Sequence, residues 1–247
     1  MRSRSVLALC LVAYTCNSQE RRPLDSKTVR TEYSFAVRSG KPPVTIRVEI
    51  TATGKIGDAL VFEEGTPDPS QRLASCQPEL AMELYEGDES TVLVEHADFN
   101  FDGYEDLKLL QFNHPHLGKS IFCVYLWDEK TSKFQYDLQI PMPDPVPHAE
   151  SKTITTHDEY MGGTWGDSVY VWSGNKVIPI AEWGLANEAG MPGTNANCPW
   201  TAWCAKRING KMRNVVMKST GCDDTDPETV KCTPPPRSIY APKVQRK

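Results

Sequence analysis

No stretch of this sequence is apolar for long enough to cross a membrane as a helix. The run over residues 6–13 falls far short of the roughly 20 residues that a spanning helix needs. Basic excess is also lacking. Lys and Arg number 27 against 32 Asp and Glu, a formal charge of −5, which argues against a nucleic-acid binder with a basic face. There is no long apolar stripe at helical spacing, no His-Glu-x-x-His, no nucleophile elbow and no phosphate-binding loop. Those absences leave catalysis without sequence support, and the chain reads as a non-enzyme.

What is present begins with an export signal over residues 1–18. Arg2 and Arg4 supply the basic start, the apolar run follows, and Cys16, Asn17 and Ser18 form a small-residue cleavage site. Cys16 is an alternative point of lipid attachment, although Thr15 before it is a poor match to a lipoprotein signal. Export implies the periplasm. Loss of the two arginines leaves 25 basic against 32 acidic residues, a balance of −7. Such a field would speed encounter with a basic protein partner.

Six cysteines remain: Cys76, Cys123, Cys198, Cys204, Cys222 and Cys232. An even number in an exported chain points to disulfides. Six cysteines allow about 15 connectivities, among which sequence does not choose; the pairing expected is Cys198 with Cys204 and Cys222 with Cys232, by proximity, and Cys76 with Cys123. The spacings do not match the usual zinc-ligand pairs.

Period-two alternation runs through the middle of the chain. Tyr33, Phe35 and Val37 alternate with polar or small residues, as do Val44, Ile46, Val48 and Ile50, and this marks half-buried strands. Leu80, Met82 and Leu84 repeat the pattern. So do Ile121, Cys123, Tyr125 and Trp127, and then Phe134, Tyr136, Leu138 and Ile140. The proline-rich residues 141–147 form a stiff connector that cannot lie in a central strand. Residues 169–172 and 177–180 flank a hairpin turn at Ser173, Gly174 and Asn175. About a dozen short strands predict an all-β fold, propeller-like or a sandwich of antiparallel strands. The boundaries expected are a tether over 19–31, a β domain over 32–185, and a disulfide-stapled extension with a loose tail over 186–247. A strand is expected within that extension near residues 213–218.

The sharpest motif is residues 98–107. Asp98, Asn100, Asp102 and Asp106 place side-chain oxygens at loop positions 1, 3, 5 and 9, with Gly103 at position 6. A calcium ion takes about six to eight oxygens at roughly 2.3–2.6 Å. Asp98, Asn100 and Asp102 would each give one oxygen, Tyr104 its backbone carbonyl, and Asp106 would close the shell. Gly103 permits the sharp turn. The bidentate Glu of an EF-hand is missing, since position 12 is Leu109. Strand patterns at 91–96 and 107–112 bracket the loop, so the unit is strand–loop–strand. The competing reading is a bare Asp/Asn/Gly turn.

Residues 100–107, the aromatic strand ending in Tyr125, Leu126 and Trp127, the turn with Lys133 and Phe134, then Lys152, Thr153 and Ile154, and finally Tyr170, Val171 and Trp172 follow one another in order. That order resembles bacterial periplasmic immunity proteins that protect against antibacterial type IV secretion effectors. The resemblance implies a propeller-like β protein with one FG-GAP-type calcium loop. It also implies inhibition of a lysozyme-like peptidoglycan hydrolase by a loop placed in the hydrolase cleft. The extra cysteine-rich tail has no counterpart in that pattern.

The stretch best suited to enter a cleft is residues 157–166, glycine-rich and between strands. Glu159, Tyr160, Met161 and Trp165 are its expected contacts, because a rigid aromatic offers area at low entropic cost. The competing reading is an ordinary connection whose aromatics pack locally. His114 and His116, separated by Pro115, read as solvated histidines. Residues 223–228 read as an acidic turn without calcium spacing. Two other functions stay open: a calcium-stiffened structural or adhesion module, and a calcium-dependent cell-wall hydrolase. A hydrolase's carboxylate pair is defined by distance in space and cannot be read from sequence.

Overall fold

The computed structural model describes residues 30–76, 84, 91–114, 119–137, 139–140, 144–159, 164–187 and 200–219. Its described residues form fourteen strands and no helix, arranged as three antiparallel sheets. The first contains β1 (Glu32–Ala36), β2 (Pro43–Ile50), β3 (Ile56–Glu63) and β4 (Gln71–Leu73). The second contains β5 (Val94–Ala97), β6 (Asp106–His114), β7 (Lys119–Asp128) and β8 (Lys133–Tyr136). The third contains β9 (Val146–His148), β10 (Thr153–Glu159), β11 (Trp165–Ser173), β12 (Lys176–Asn187), β13 (Trp200–Ile208) and β14 (Lys211–Ser219). Within each sheet, sequence neighbours are spatial neighbours throughout. Three up-and-down meanders in succession, none closed into a barrel, satisfy the expectation of an all-β fold.

Alternation becomes burial in the way the sequence predicts. Tyr33, Phe35, Val37, Val44, Ile46 and Val48 are all buried, because successive side chains of a strand point to opposite faces. They share one core with Leu107, Leu109, Tyr125 and Phe134 of the second sheet. Each such large apolar side chain contributes roughly 1.5–3 kcal/mol when removed from water. The β7 strand serves two cores. Phe122, Cys123 and Tyr125 join the first, while Val124 packs with Phe99 and Ile140 in another that also takes in Trp172 and Val177 of the third sheet. Tyr136, expected to continue the buried face of β8, is 38% exposed. The reason is that β8 ends there, and its ring rests instead on Tyr125 at 5.5 Å.

Three further contacts tie the sheets together. Cys76, just beyond β4, is bonded to Cys123 of β7 with Cα atoms 6.0 Å apart, the pairing expected from sequence. Tyr33 accepts the Leu93 amide on its hydroxyl at 3.0 Å. Lys108 of β6 is buried, and its ammonium donates to Glu95 at 2.9 Å and to Asp144 at 2.5 Å while sitting over the Phe122 ring. A buried charge left unpaired is strongly destabilising, so these partners fix the chain leading into β9. That strand contains Pro147 but lies at the sheet edge, where the missing donor costs no ladder bond.

The third sheet runs through the boundary expected near residue 186. The β12 strand spans it, and β13 and β14 continue the same ladder, from Asn187↔Trp200 to Ile208↔Lys211. Ala202 and Cys204 share a core with Val169, Val171, Ile180 and Leu185. Gly184 is needed where β11 and β12 pair, since a Cβ there would collide with the Trp165 carbonyl. Cys204 is disulfide-bonded; Cys198, Cys222 and Cys232 lie outside the described residues, as do the export signal and residues 19–29 of the tether.

The Cys76–Cys123 bridge closes a separation of 47 residues between two sheets. Replacing both cysteines with Ala should cost about 2–4 kcal/mol, read by denaturant unfolding. The fold should remain, because the apolar contact between the sheets does not require the bridge.

Candidate functional site

The turn between β5 and β6 is held by its own side chains. Asp98 accepts the amide of Asp102 at 3.0 Å and that of Gly103 at 2.9 Å. Asn100 accepts the Asp102 amide at 3.1 Å, and Asp102 accepts the Tyr104 amide at 2.9 Å. The Asn100 amide group donates back to Asp102 at 2.9 Å. Short acidic and amide side chains capture nearby backbone donors readily, and here they shape a loop with φ of +64° at Phe101 and +92° at Gly103. Glycine bears that conformation easily. For a bulky residue such as Phe101 it is strained, and the strain is tolerated because the surrounding bonds over-determine the turn.

Asp106 is fully buried at the start of β6. One of its oxygens accepts the Phe99 amide at 2.8 Å, and the other accepts the Trp127 amide at 2.8 Å. It therefore clasps the turn to the end of β7. Burial, with the nearby Asp98 and Asp102 charges adding, pushes its carboxyl up from 3.8 to about 7, and the two amide bonds only partly oppose this. On either side the loop touches another sheet. The Trp172 indole donates to the Phe99 carbonyl at 2.9 Å, and the Glu105 amide donates to the Val37 carbonyl at 2.7 Å.

The donor chemistry suits a hard cation, because a carboxylate oxygen that accepts one amide keeps a further lone pair. As arranged, the turn holds its shape by protein hydrogen bonds. Among the described residues, no group of three or more His, Cys, Asp or Glu side chains is placed to hold a metal ion. Asp98, Asn100 and Asp102 are brought together on one turn. Tyr104 follows them, and its side chain turns inward: its hydroxyl accepts from Arg38 at 2.9 Å and bonds to Glu129, which raises its pKa.

The second candidate stretch lies at the far end of a long hairpin. The β10 and β11 strands pair without a break from Thr153↔Val171 to Glu159↔Trp165. Glu159 is the last residue of β10, while Tyr160 and Met161 fall outside the described residues. Trp165 belongs to β11 and not to the connecting loop. It is partly buried against the third sheet's core and lies beside the ring of His157 at 6.2 Å. His157 meets Asp167 at 2.7 Å, a cross-strand pair that no local pattern announced. The side chains of His114 and His116 are outside the described residues.

No family model matches the chain, and no curated protein matches it. Among solved structures, a Xanthomonas type IV secretion system related protein matches with a TM-score of 0.49 and 14% identity, covering 78% of this chain and 98% of that one.

The raised Asp106 pKa gives a pH dependence with a definite sign. The carboxyl holds its proton more tightly folded than unfolded, so its contribution is most favourable below about 3.8 and declines as pH rises through about 7. Asp106→Asn should remove that slope in chelator-treated protein. It should also lower stability at neutral pH by about 1–3 kcal/mol, because one backbone amide would face an NH₂ group. Denaturant unfolding at stepped pH reads both effects.

Proposed function

We propose that this chain is an exported, calcium-stabilised periplasmic protein that inhibits a lysozyme-like peptidoglycan hydrolase and is not itself an enzyme. The observation that carries the reading is the β10–β11 hairpin: an unbroken seven-pair ladder that ends at Glu159↔Trp165, the two residues that flank the connection containing Tyr160 and Met161 in sequence. The order of features around residues 100–172, which resembles immunity proteins against type IV secretion effectors, supplies the partner class. Such a hairpin suits cleft insertion because the ladder and the packed Trp165 fix its base in advance, which lowers the ordering cost of binding. A partly buried Trp165 would then brace the tip from within.

Calcium has a structural role in this reading. Asp98, Asn100, Asp102, the Tyr104 carbonyl and Asp106 would hold the ion, and its charge would offset the repulsion among three neighbouring carboxylates. The donors are hard oxygens, and binding would favour the ionised form of Asp106, coupling the ion to folding of the turn. Localisation in the periplasm follows from the export signal.

Inhibition is tested by lysozyme-type turbidity assays with secreted peptidoglycan hydrolases and the mature chain. The reading expects a retained hydrolase whose activity falls. Tyr160→Ala combined with Met161→Ala should weaken inhibition at least about tenfold with an unchanged melting point. Full hydrolase activity in excess of the mature chain, across the hydrolases offered, would contradict it.

The ion is tested separately by thermal melting. Calcium should raise the wild-type melting point and leave Asp102→Ala unmoved. A wild-type melting point indifferent to both calcium and chelator would remove the ion from the account while leaving the hairpin in place.

A further inference from the structure

Between the first two sheets, lined from the turn by Tyr104, lies a cavity of about 330 Å³. Four separate segments build it: the β1–β2 connection, the end of β3, Tyr104, and the β7–β8 turn. Pro42 and Pro43 form one stiff apolar wall, and Tyr104 and Trp127 form an aromatic one. The aromatic wall is firmly set. Trp127 stands edge-on to Phe134 at 5.0 Å, and Tyr104 is pinned by Arg38 and Glu129. Glu63, Glu64 and Glu129 line it together with Lys41, and a second cation, the Arg38 guanidinium, already lies over the Tyr104 ring at 5.0 Å from its centroid.

We infer that this cavity receives an arginine side chain of a protein partner. The Trp127 indole attracts a cation through its quadrupole, as the Tyr104 ring already does for Arg38, and the planar guanidinium both stacks on such a face and bonds carboxylates two at a time. The volume lies near the lower end for ligand sites, which run from roughly 300 Å³ upward. It therefore admits one long side chain and not a large cofactor. Acidic rim and acidic chain together favour a basic partner surface, by the same field that would steer its approach. Lysine would bind more weakly, since its ammonium is more strongly hydrated and cannot form the paired contact. The inference does not depend on the role of the hairpin.

The experiment uses the full mature chain, labelled with ¹⁵N and titrated with Nα-acetyl-arginine amide. The indole N–H of Trp127, assigned by its loss in Trp127→Phe, is the reporter. The cavity predicts a saturable shift of that signal and of the Tyr104 amide, with no saturable shift for the citrulline analogue, which keeps the shape and lacks the charge. Glu63→Gln with Glu64→Gln, two exposed positions, should weaken the arginine ligand at least threefold at an unchanged melting point, and Lys41→Gln should strengthen it. A Trp127 signal that does not respond to arginine, or that responds equally to citrulline, would overturn the assignment. So would an affinity unmoved in the folded double variant.

Discussion

One buried carboxylate sets the relation between the central turn and everything around it. Asp106 has no exposed surface, and carrying charge there is costly unless the charge is hydrogen-bonded. Its two oxygens answer that cost by accepting the Phe99 and Trp127 amides, one from the turn and one from β7. Where Phe99 sits then decides where the second and third sheets meet, because its ring lies in their shared core and its carbonyl receives the Trp172 indole. Where Tyr104 sits decides the wall between the first and second sheets. Asp106 thus sets the turn between the second and third sheets, while Tyr104, held by Asp102, Arg38 and Glu129, links the same turn to the first.

Much of this organisation could be read from local pattern. Tyr33, Phe35, Val44 and Ile46 announce their faces by simple alternation, because half-buried strands admit few other arrangements. The Cys76–Cys123 bridge was expected, although local pattern does not choose among the connectivities that six cysteines allow. The turn at residues 98–106 was visible because Gly103 and its oxygen-bearing neighbours leave the backbone little choice. Pro147 was rightly excluded from a central strand and occupies an edge.

What escaped was whatever depends on distant partners. The change to Gly, Pro, Asn and Cys near residue 186 reads as a boundary, yet β13 and β14 extend the sheet across it. Ladder pairing between segments far apart in sequence leaves no local mark. Ala202 and Cys204 are small enough to hide their inward face, though their alternation with Trp203 was a usable signal. Trp165 looked like a loop residue because glycines surround it, and Gly166 in fact lies opposite Gly184 in a ladder. The function of Asp106 as a clasp was equally hidden, since ligand and hydrogen-bond acceptor call for the same side chain. The cavity under Trp127 draws on four segments, none of which is unusual alone. In the functional reading, hairpin and cavity are two separate surfaces on a scaffold whose stiffness comes from the sheet contacts near the turn.

Amide hydrogen exchange at Phe99 and Trp127 tests the clasp most directly. If Asp106 joins the turn to β7 as described, both amides exchange as slowly as those of the β6–β7 ladder and lose protection together in Asp106→Ala. Exchange of the Phe99 amide at the rate of an exposed turn, with Trp127 still protected, would show that the turn is not fastened there.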